Sequence, residues 1–302
     1  MVIKDFQQLV KMVSNFKEKK KVVVVAAHDE HTLEAIFKAK GDNLVEPILV
    51  GDKGRIQEIL DKNGFCIAEE SIINIPDERE AAYKAVELIN ENKADFIMKG
   101  KIQTADLLKA VVDKEKGIRT GRLMTHFAFL EIPTYHKLVV ITDGGMVMYP
   151  TFEQKKGIVQ NAVDVLLSLG YEKPKVAVLA AVEKVNPKMP ETVDGYELKK
   201  MAESGEIQNC IIEGPISYDI AMSKESAKIK GFESPVVEDV DIFLVPNIAT
   251  GNILAKSLIY SGNARMAGFI VGAKAPVILT SRGSSSEEKY LSIVLAAAVN
   301  MK

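Results

Sequence analysis

Lys21-Val22-Val23-Val24-Val25-Ala26-Ala27 runs directly into His28-Asp29-Glu30-His31-Thr32-Leu33-Glu34-Ala35-Ile36, so a β-branched run gives way to helical periodicity. The first part reads as a buried strand and the second as a helix that begins with an acidic cap. The same alternation recurs almost throughout. Further strands are expected at 47–51, 95–98, 123–130, 137–142, 175–181, 210–213, 241–245, 268–271 and 276–279. Helices are expected at 53–63, 78–90, 104–112, 151–169, 190–202, 250–260 and 284–299, with one or two more across 217–229. This is the pattern of an α/β protein, with parallel strands and helices covering both sheet faces.

At 302 residues, 47% hydrophobic and 26% charged, the chain has ample apolar material and a length better shared by two domains than organised by one. A net charge of −2 provides no electrostatic footprint for nucleic acid or anionic lipid. Cys66 and Cys210 are too few and too far apart for a zinc-site spacing or a disulfide framework. Free thiols in a reducing compartment, the cytoplasm, are therefore expected. The first long apolar run, 22–27, is far too short to cross a bilayer, so neither export nor a membrane anchor is expected.

Open α/β sheets bind ligands beyond the carboxyl ends of their strands. Five such ends stand out: Met98-Lys99-Gly100-Lys101 running to Thr104, Thr142-Asp143-Gly144-Gly145, Glu213-Gly214-Pro215, Pro246-Asn247-Ile248-Ala249-Thr250-Gly251-Asn252, and Thr280-Ser281-Arg282-Gly283. The last continues through Ser284-Ser285-Ser286-Glu287-Glu288. It offers hydroxyl and backbone donors, one guanidinium for a bidentate grip on phosphate, and carboxylates one to two turns into the next helix. The plainer reading is a helix cap with acidic residues favoured by the helix dipole.

Near Lys99, helix N-terminal amides, Thr104 and a lysine can meet an anion, although Thr104 can equally be only an N-cap. Arg119 and Arg122 flank glycines in the loop 117–122, suited to phosphate or to a solvated turn. Asn247 and Asn252 supply amides around a glycine that permits close backbone approach, and Lys188 in the loop 185–190 is placed to reach an anion. His126 lies inside an apolar strand pattern, where a hydrogen-bonded structural role is expected. No His-x-x-x-His pair, carboxylate cluster of metal-site spacing or dinucleotide fingerprint occurs, so no metal and no nicotinamide cofactor are expected.

Taken in order, several stretches resemble the phosphate acetyl/butyryltransferase family, most closely its butyryl branch, over nearly the whole chain. They are Ala26-Ala27-His28-Asp29-Glu30 with Leu33-Glu34-Ala35, Lys93-Ala94-Asp95-Phe96-Ile97-Met98-Lys99-Gly100, Arg119-Thr120-Gly121-Arg122 with His126, Asn186-Pro187-Lys188-Met189-Pro190, Pro246-Asn247-Ile248 with Thr250-Gly251-Asn252, and Leu279-Thr280-Ser281-Arg282. The resemblance implies two α/β domains like those of isocitrate and isopropylmalate dehydrogenases, with an interdomain cleft holding the active site. Residues 1–143 with 273–302 would form one domain and 144–272 the other.

The implied reaction is acyl-CoA plus phosphate giving acyl phosphate plus CoA. Coenzyme A is then a substrate rather than a bound cofactor, and a homodimer or larger homo-oligomer is expected. Matched to the family's motif, Ser281 orients the CoA sulfur, Arg282 binds phosphate and stabilises the tetrahedral carbonyl, and Glu288 acts as base, with Glu287 beside it as a rival. Lys99, Thr104, Arg119, Arg122, Lys188, Asn247, Thr250 and Asn252 are the expected substrate-binding residues. Tyr260 stands where the acetyl branch carries an arginine, which shifts more of the anion binding to Arg119. The butyryl-like segments favour an acyl chain of roughly four or five carbons. The alternatives are a phosphate acetyltransferase, a dehydrogenase or decarboxylase on the same fold, and a catalytically silent module that binds CoA or senses acyl phosphate.

Overall fold

The structure is a computed structural model that describes residues 2–280 and 283–300. In chain order its elements are α1 (Phe6–Ser14), β1 (Lys20–Val25), α2 (Glu30–Gly41), β2 (Val45–Gly51), α3 (Lys53–Asn63), β3 (Ile72–Asn74), α4 (Glu78–Asn90), β4 (Phe96–Lys99), α5 (Thr104–Val111), β5 (Thr125–Glu131) and β6 (Val139–Thr142). They continue with α6 (Phe152–Ser168), β7 (Lys175–Leu179), α7 (Pro190–Glu203), β8 (Ile211–Ile216), α8 (Tyr218–Met222), α9 (Lys224–Lys230), β9 (Ile242–Leu244), α10 (Ile248–Gly262), β10 (Arg265–Val271), β11 (Val277–Ile278) and α11 (Ser286–Ala298).

Two compact units emerge. The first comprises Phe6–Met124 with Ala267–Lys302, and the second Met1–Asp5 with Thr125–Met266. This division departs from the expected 1–143 with 273–302 against 144–272. The residues of β5 and β6 lie in the second unit because β6 is hydrogen-bonded in parallel register to β9, Val140 opposite Ile242 and Thr142 opposite Leu244.

In the first unit the strand order is β3-β2-β1-β4-β11-β10. Val22 to Val25 have no exposed surface, as a central parallel strand requires. Asp29, Asp52 and Asp77 cap the helices that follow their strands by accepting backbone N–H groups, and Gly64 closes α3 in the left-handed region. Helix α11 packs on α1 and α2, and its residues Lys289 to Ala298 are all buried.

In the second unit the order is β5-β6-β9-β7-β8 around a core that includes Ala128, Ile141, Ala177 and Phe243. Thr151 and Gln154 form a reciprocal capping box at the start of α6. Two strand pairs, β5 with β6 and β10 with β11, are antiparallel rather than parallel. Their connections, 132–138 and 272–276, are too short for the crossover of a dozen or more residues that parallel neighbours need.

Candidate active site

In the first unit, the carboxyl ends of β1, β4 and β11 meet. A Cβ on Gly100 would lie 2.4 Å from the Ala26 carbonyl oxygen and 2.7 Å from that of Val25. Only glycine therefore lets β4 leave the sheet here, and the Gly100 and Lys101 amides donate to Val25 and Ala26 at 2.8 and 2.9 Å. Beside this crossing is a cavity of about 360 Å³, whose wall includes Asp29, Lys99, Lys101, Thr280, Ser284 and Lys289. Ser281 and Arg282 lie outside the described residues. Thr280 and Ser284, which flank them in sequence, both line the cavity.

Helix α11 starts at this point. Ser285 is its N-cap, accepting the Glu288 amide at 3.1 Å, and the Ser284 hydroxyl donates to Glu288 Oε1 at 2.7 Å. Burial raises the Glu288 carboxyl above the usual glutamate value, against the opposing pull of the Ser284 hydrogen bond and the Lys289 charge. Glu287 points to an exposed position while Glu288 is half-buried, so the two adjacent carboxylates occupy distinct environments.

Lys289 follows, with its ammonium donating to Thr32 Oγ1 at 3.0 Å and to Asp29 Oδ1 at 3.4 Å. Asp29 also accepts the Thr32 amide at 2.8 Å and the Thr32 hydroxyl. Burial opposes ionisation of Asp29, but the Thr32 hydrogen bonds and the Lys289 charge hold it below the ordinary aspartate value. Neither Asp29 nor Lys289 figured among the expected site residues. A lysine early in a C-terminal helix reads as a solvated residue, and only the enclosure of α11 by α1 and α2 turns it inward.

Lys99 lines the same cavity, with its ammonium 3.2 Å from the Gly100 carbonyl oxygen. Thr104 is exposed at the first position of α5, whose N-cap is Gln103 rather than Thr104. Arg119 and Arg122 are both exposed on the loop 117–122, which is tied down by a backbone bridge from Arg119 to Ala273 and by the Thr120 hydroxyl on the Gly272 carbonyl at 2.6 Å. His28 is buried behind the β1 tip, and neither ring nitrogen has a hydrogen-bond partner among the described residues. Burial and the Arg55 and Lys101 charges keep its imidazole below the usual histidine value.

In the second unit the expected residues gather at the start of α10. Asn247 is its N-cap and accepts the Thr250 amide at 3.0 Å and the Thr250 hydroxyl at 3.2 Å. Both line a cavity of about 420 Å³ together with Leu179, Tyr218, Pro246 and Leu254. Asn252, one residue beyond Gly251, is exposed. A Cβ on Gly251 would lie 2.8 Å from the Gly144 Cα, so α10 is set directly against the turn after β6.

That turn is organised by Asp143, a buried residue whose role sequence reasoning missed. Its carboxylate accepts the amides of His126, Gly145, Met146 and Val147 at 3.0, 2.8, 2.8 and 3.3 Å. The Asp-Gly-Gly order after a strand was the available signal, since aspartate readily organises its own turn. His126 is held in β5 through its backbone, but its ring Nδ1 is buried with no partner among the described residues, unlike the hydrogen-bonded ring expected. Lys188 is exposed on a loop that Thr192 pins through hydrogen bonds with Asn186 and Met189.

Among the described residues no group of three or more His, Cys, Asp or Glu side chains is arranged to hold a metal ion, and no helix is long and apolar enough to cross a membrane. The first cavity can hold an anion on ammonium groups beside a carboxyl whose proton affinity is raised. That combination suits proton transfer next to a phosphorylated substrate.

The family profile described as phosphate acetyl/butaryl transferase matches residues 77–297. A phosphate butyryltransferase from Clostridium acetobutylicum is 45% identical over 99% of each chain. A phosphate acetyltransferase from Thermotoga maritima is 42% identical, over 92% of this chain and 94% of its own. The crystal structure of a branched-chain phosphotransacylase from Enterococcus faecalis superposes with a TM-score of 0.81 at 33% identity, covering 92% of this chain and 98% of that one. The chain is thus a member of the phosphate acetyl/butyryl transferase family.

Proposed function

We propose that this enzyme moves a short acyl group between coenzyme A and inorganic phosphate, with butyryl-CoA and its branched analogues as preferred thioesters. Acyl transfer between CoA and phosphate follows from family membership. The preference for butyryl over acetyl is the finer part of the reading, supported by the 45% identity to a phosphate butyryltransferase over 99% of each chain. The observation that carries the chemistry is the half-buried Glu288 carboxyl, bound by Ser284 at the edge of a cavity walled by lysines.

A free thiol has a pKa of about 8.5 and is mostly protonated at neutral pH. In the direction that consumes acyl phosphate, Glu288 takes the proton from the CoA thiol and the thiolate attacks the acyl carbon. The carbon–oxygen bond to phosphate then breaks, and phosphate leaves with that electron pair. In the reverse direction phosphate oxygen attacks the thioester, the thiolate departs, and Glu288 returns the proton. Ser281 orients the sulfur, and Arg282 neutralises phosphate and the tetrahedral oxyanion. Lys99, Thr104, Arg119, Arg122, Lys188, Asn247, Thr250 and Asn252 remain the proposed binding residues. The thioester and the acyl phosphate are both activated acyl donors, so holding either with its acceptor in a ternary complex and moving the thiol proton suffices without a bound cofactor.

Phosphate-dependent release of free thiol from butyryl-CoA is the direct test. Arg282→Ala is expected to lower kcat/KM by roughly 10²- to 10³-fold, and near-parental turnover would remove Arg282 from the mechanism. A chain-length series from acetyl- to hexanoyl-CoA separates the butyryl preference from an acetyl one. Phosphate-independent NAD reduction in place of thiol release would favour the dehydrogenase reading.

A homo-oligomer of at least two chains is also proposed, in a reducing, cytoplasmic setting that suits the unpaired Cys66 and Cys210. Helix α10 is apolar, yet only Gly251 is buried, while Ile253 and Tyr260 are 65% and 77% exposed. Such a face needs a partner. Light scattering is expected to show a dimer or larger species for the parent and a smaller one for Tyr260→Asp; a parent that runs as a monomer at micromolar concentration would overturn this.

A further inference from the structure

Strands β7 and β9 are parallel neighbours in the second unit, with Val176 opposite Ile242 and Val178 opposite Leu244. Their chains leave the sheet in opposite directions. β7 leads into α7, which packs on β8, whereas β9 leads into α10, whose Gly251 is set against the turn after β6 on the far side. Where the connections of neighbouring parallel strands diverge, an α/β sheet opens a ligand crevice beyond their carboxyl ends. The cavity of about 420 Å³ lies at this switch point, walled by Ala180 and Ala181 after β7 and by Pro246 and Asn247 after β9.

Its wall is chemically selective. Leu179, Tyr218 and Leu254 join the two alanines and Pro246 in an apolar surface, and among the described residues no lysine or arginine lines it. Glu191 is its one charged residue, so a phosphate group would be repelled. Asn247 Oδ1 is committed to the Thr250 amide and hydroxyl at 3.0 and 3.2 Å, which leaves both Nδ2 donors without a partner among the described residues. An apolar crevice with an amide donor in its wall fits an aliphatic chain that ends in a carbonyl.

Tyr218 is the large, fixed element of that wall. Its ring packs on the buried Phe243 at 5.4 Å between centroids, and its hydroxyl makes no hydrogen bond among the described residues. One lysine clamps the residues on either side of it, the Lys230 ammonium donating to Ser217 Oγ at 3.3 Å and to Asp219 Oδ2 at 3.0 Å. Lys230 also meets Glu183 Oε1 at 3.0 Å, and the Ser217 hydroxyl donates to the same carboxylate. The start of α8 is thereby tied to the loop that carries Ala180 and Ala181, which sets the spacing of two walls.

We propose that this crevice is the acyl-chain pocket, in which Tyr218 sets the chain length admitted and the Asn247 amide donates to the thioester carbonyl. The inference rests on acyl transfer from CoA for its choice of ligand. Of that substrate's parts, the phosphates are disfavoured by Glu191 and by the lack of lining cations, and the amides of the pantetheine arm would find few partners. The acyl group alone is apolar beyond its carbonyl.

Thiol release from acetyl-, butyryl-, isovaleryl- and hexanoyl-CoA, read as ratios of kcat/KM, tests this on the full chain. Tyr218→Ala is expected to raise the hexanoyl-to-butyryl ratio by roughly tenfold or more, and Ala181→Leu, which narrows the crevice, to lower the butyryl-to-acetyl ratio by a similar factor. Asn247→Asp keeps an acceptor for the α10 cap but removes the donor, so kcat/KM should fall roughly tenfold at every chain length alike. If Tyr218→Ala fails to fold, Ala181→Leu carries the test, since Ala181 is exposed.

Ratios within about twofold of the parent in both pocket variants, well under the effect of one methylene, would overturn the pocket, and a uniform loss across chain lengths would place the pantetheine arm there instead. Parental turnover in Asn247→Asp would overturn the carbonyl contact. The parent's own optimum is a separate result: a peak at acetyl-CoA ends the butyryl preference while the ratio shifts still decide the pocket, and a parent inert towards every acyl-CoA would overturn both.

Discussion

Glu288→Gln is expected to lower kcat for thiol release by roughly 10²- to 10⁴-fold, the range for loss of a positioned general acid–base. The amide keeps the volume of the side chain and can still accept from Ser284, so α11 should stay folded and KM should change little. What is lost is the ability to take and return a proton. Burial raises the carboxyl above the ordinary glutamate value of 4.5, which brings its basicity closer to that of the thiol.

The sign of the pH dependence follows. Glu288 must be ionised to accept the thiol proton, so kcat in the CoA-acylating direction should fall as pH drops through the raised value, and the acid limb should lie above pH 4.5. In Glu288→Gln that limb should vanish, with turnover low and flat across the same window. Rates within threefold of the parent, or an unchanged acid limb, would assign the base elsewhere, with Glu287→Gln as the next variant to measure. Ser284→Ala should shift the limb further upward, because it removes a hydrogen bond that favours the charged form.

Lys137→Met is expected to destabilise the second unit by about 3–5 kcal/mol, the cost of leaving a buried charge without its partner. The Lys137 side chain is 3% exposed and its ammonium donates to Asp239 Oδ1 and Asp241 Oδ1, both at 2.6 Å, and to the Asp239 carbonyl at 2.9 Å. Asp241 is itself buried and accepts the Lys175 amide at 2.8 Å, and the Lys175 ammonium closes the ring on Asp239. The cluster ties the amino ends of β6, β7 and β9 together, away from the carboxyl ends that bear Asp143 and Asn247.

Burial works against ionisation of Asp239, yet the hydrogen bonds and charges of Lys137 and Lys175 bring it down to about 2. A depressed carboxyl contributes stability above its unfolded value of 3.8 that is lost as pH falls through about 2. The parent should therefore lose stability across that acid window, and Lys137→Met should lose less of it. Urea unfolding followed at neutral pH and near pH 3 checks both. A neutral-pH loss below about 1 kcal/mol would place this cluster with ordinary surface ion pairs. Lys137→Met combined with Asp241→Asn should recover part of the loss, since the uncompensated charge is then removed.

Most elements were legible in the sequence because strand and helix periods leave different marks on which residues are apolar. Val22 to Val25 and the acidic cap at Asp29 behave as their pattern says. The three-residue β3 was not legible, since so short a strand carries almost no periodic signal. Nor was the antiparallel pairing of β5 with β6 and β10 with β11, which depends on connection length and on neighbours distant in sequence.

The candidate site divides in the same way. Asn247 sits where local order puts it, after a strand and at the start of a helix. Asp143, Asp29 and Lys289 were invisible as a set, because their roles arise from contacts across long stretches of chain: Lys289 with Asp29 and Thr32, and Asp143 with His126.

By itself, then, the sequence determined the α/β class and the family, both of which rest on local patterns of apolar, capping and glycine residues. Only the tertiary structure decided which of two adjacent glutamates is half-buried, which lysine is drawn inside, and which strands belong to which unit. The reason is physical: desolvation and charge pairing depend on what surrounds a side chain in space, and neighbours along the chain do not report it.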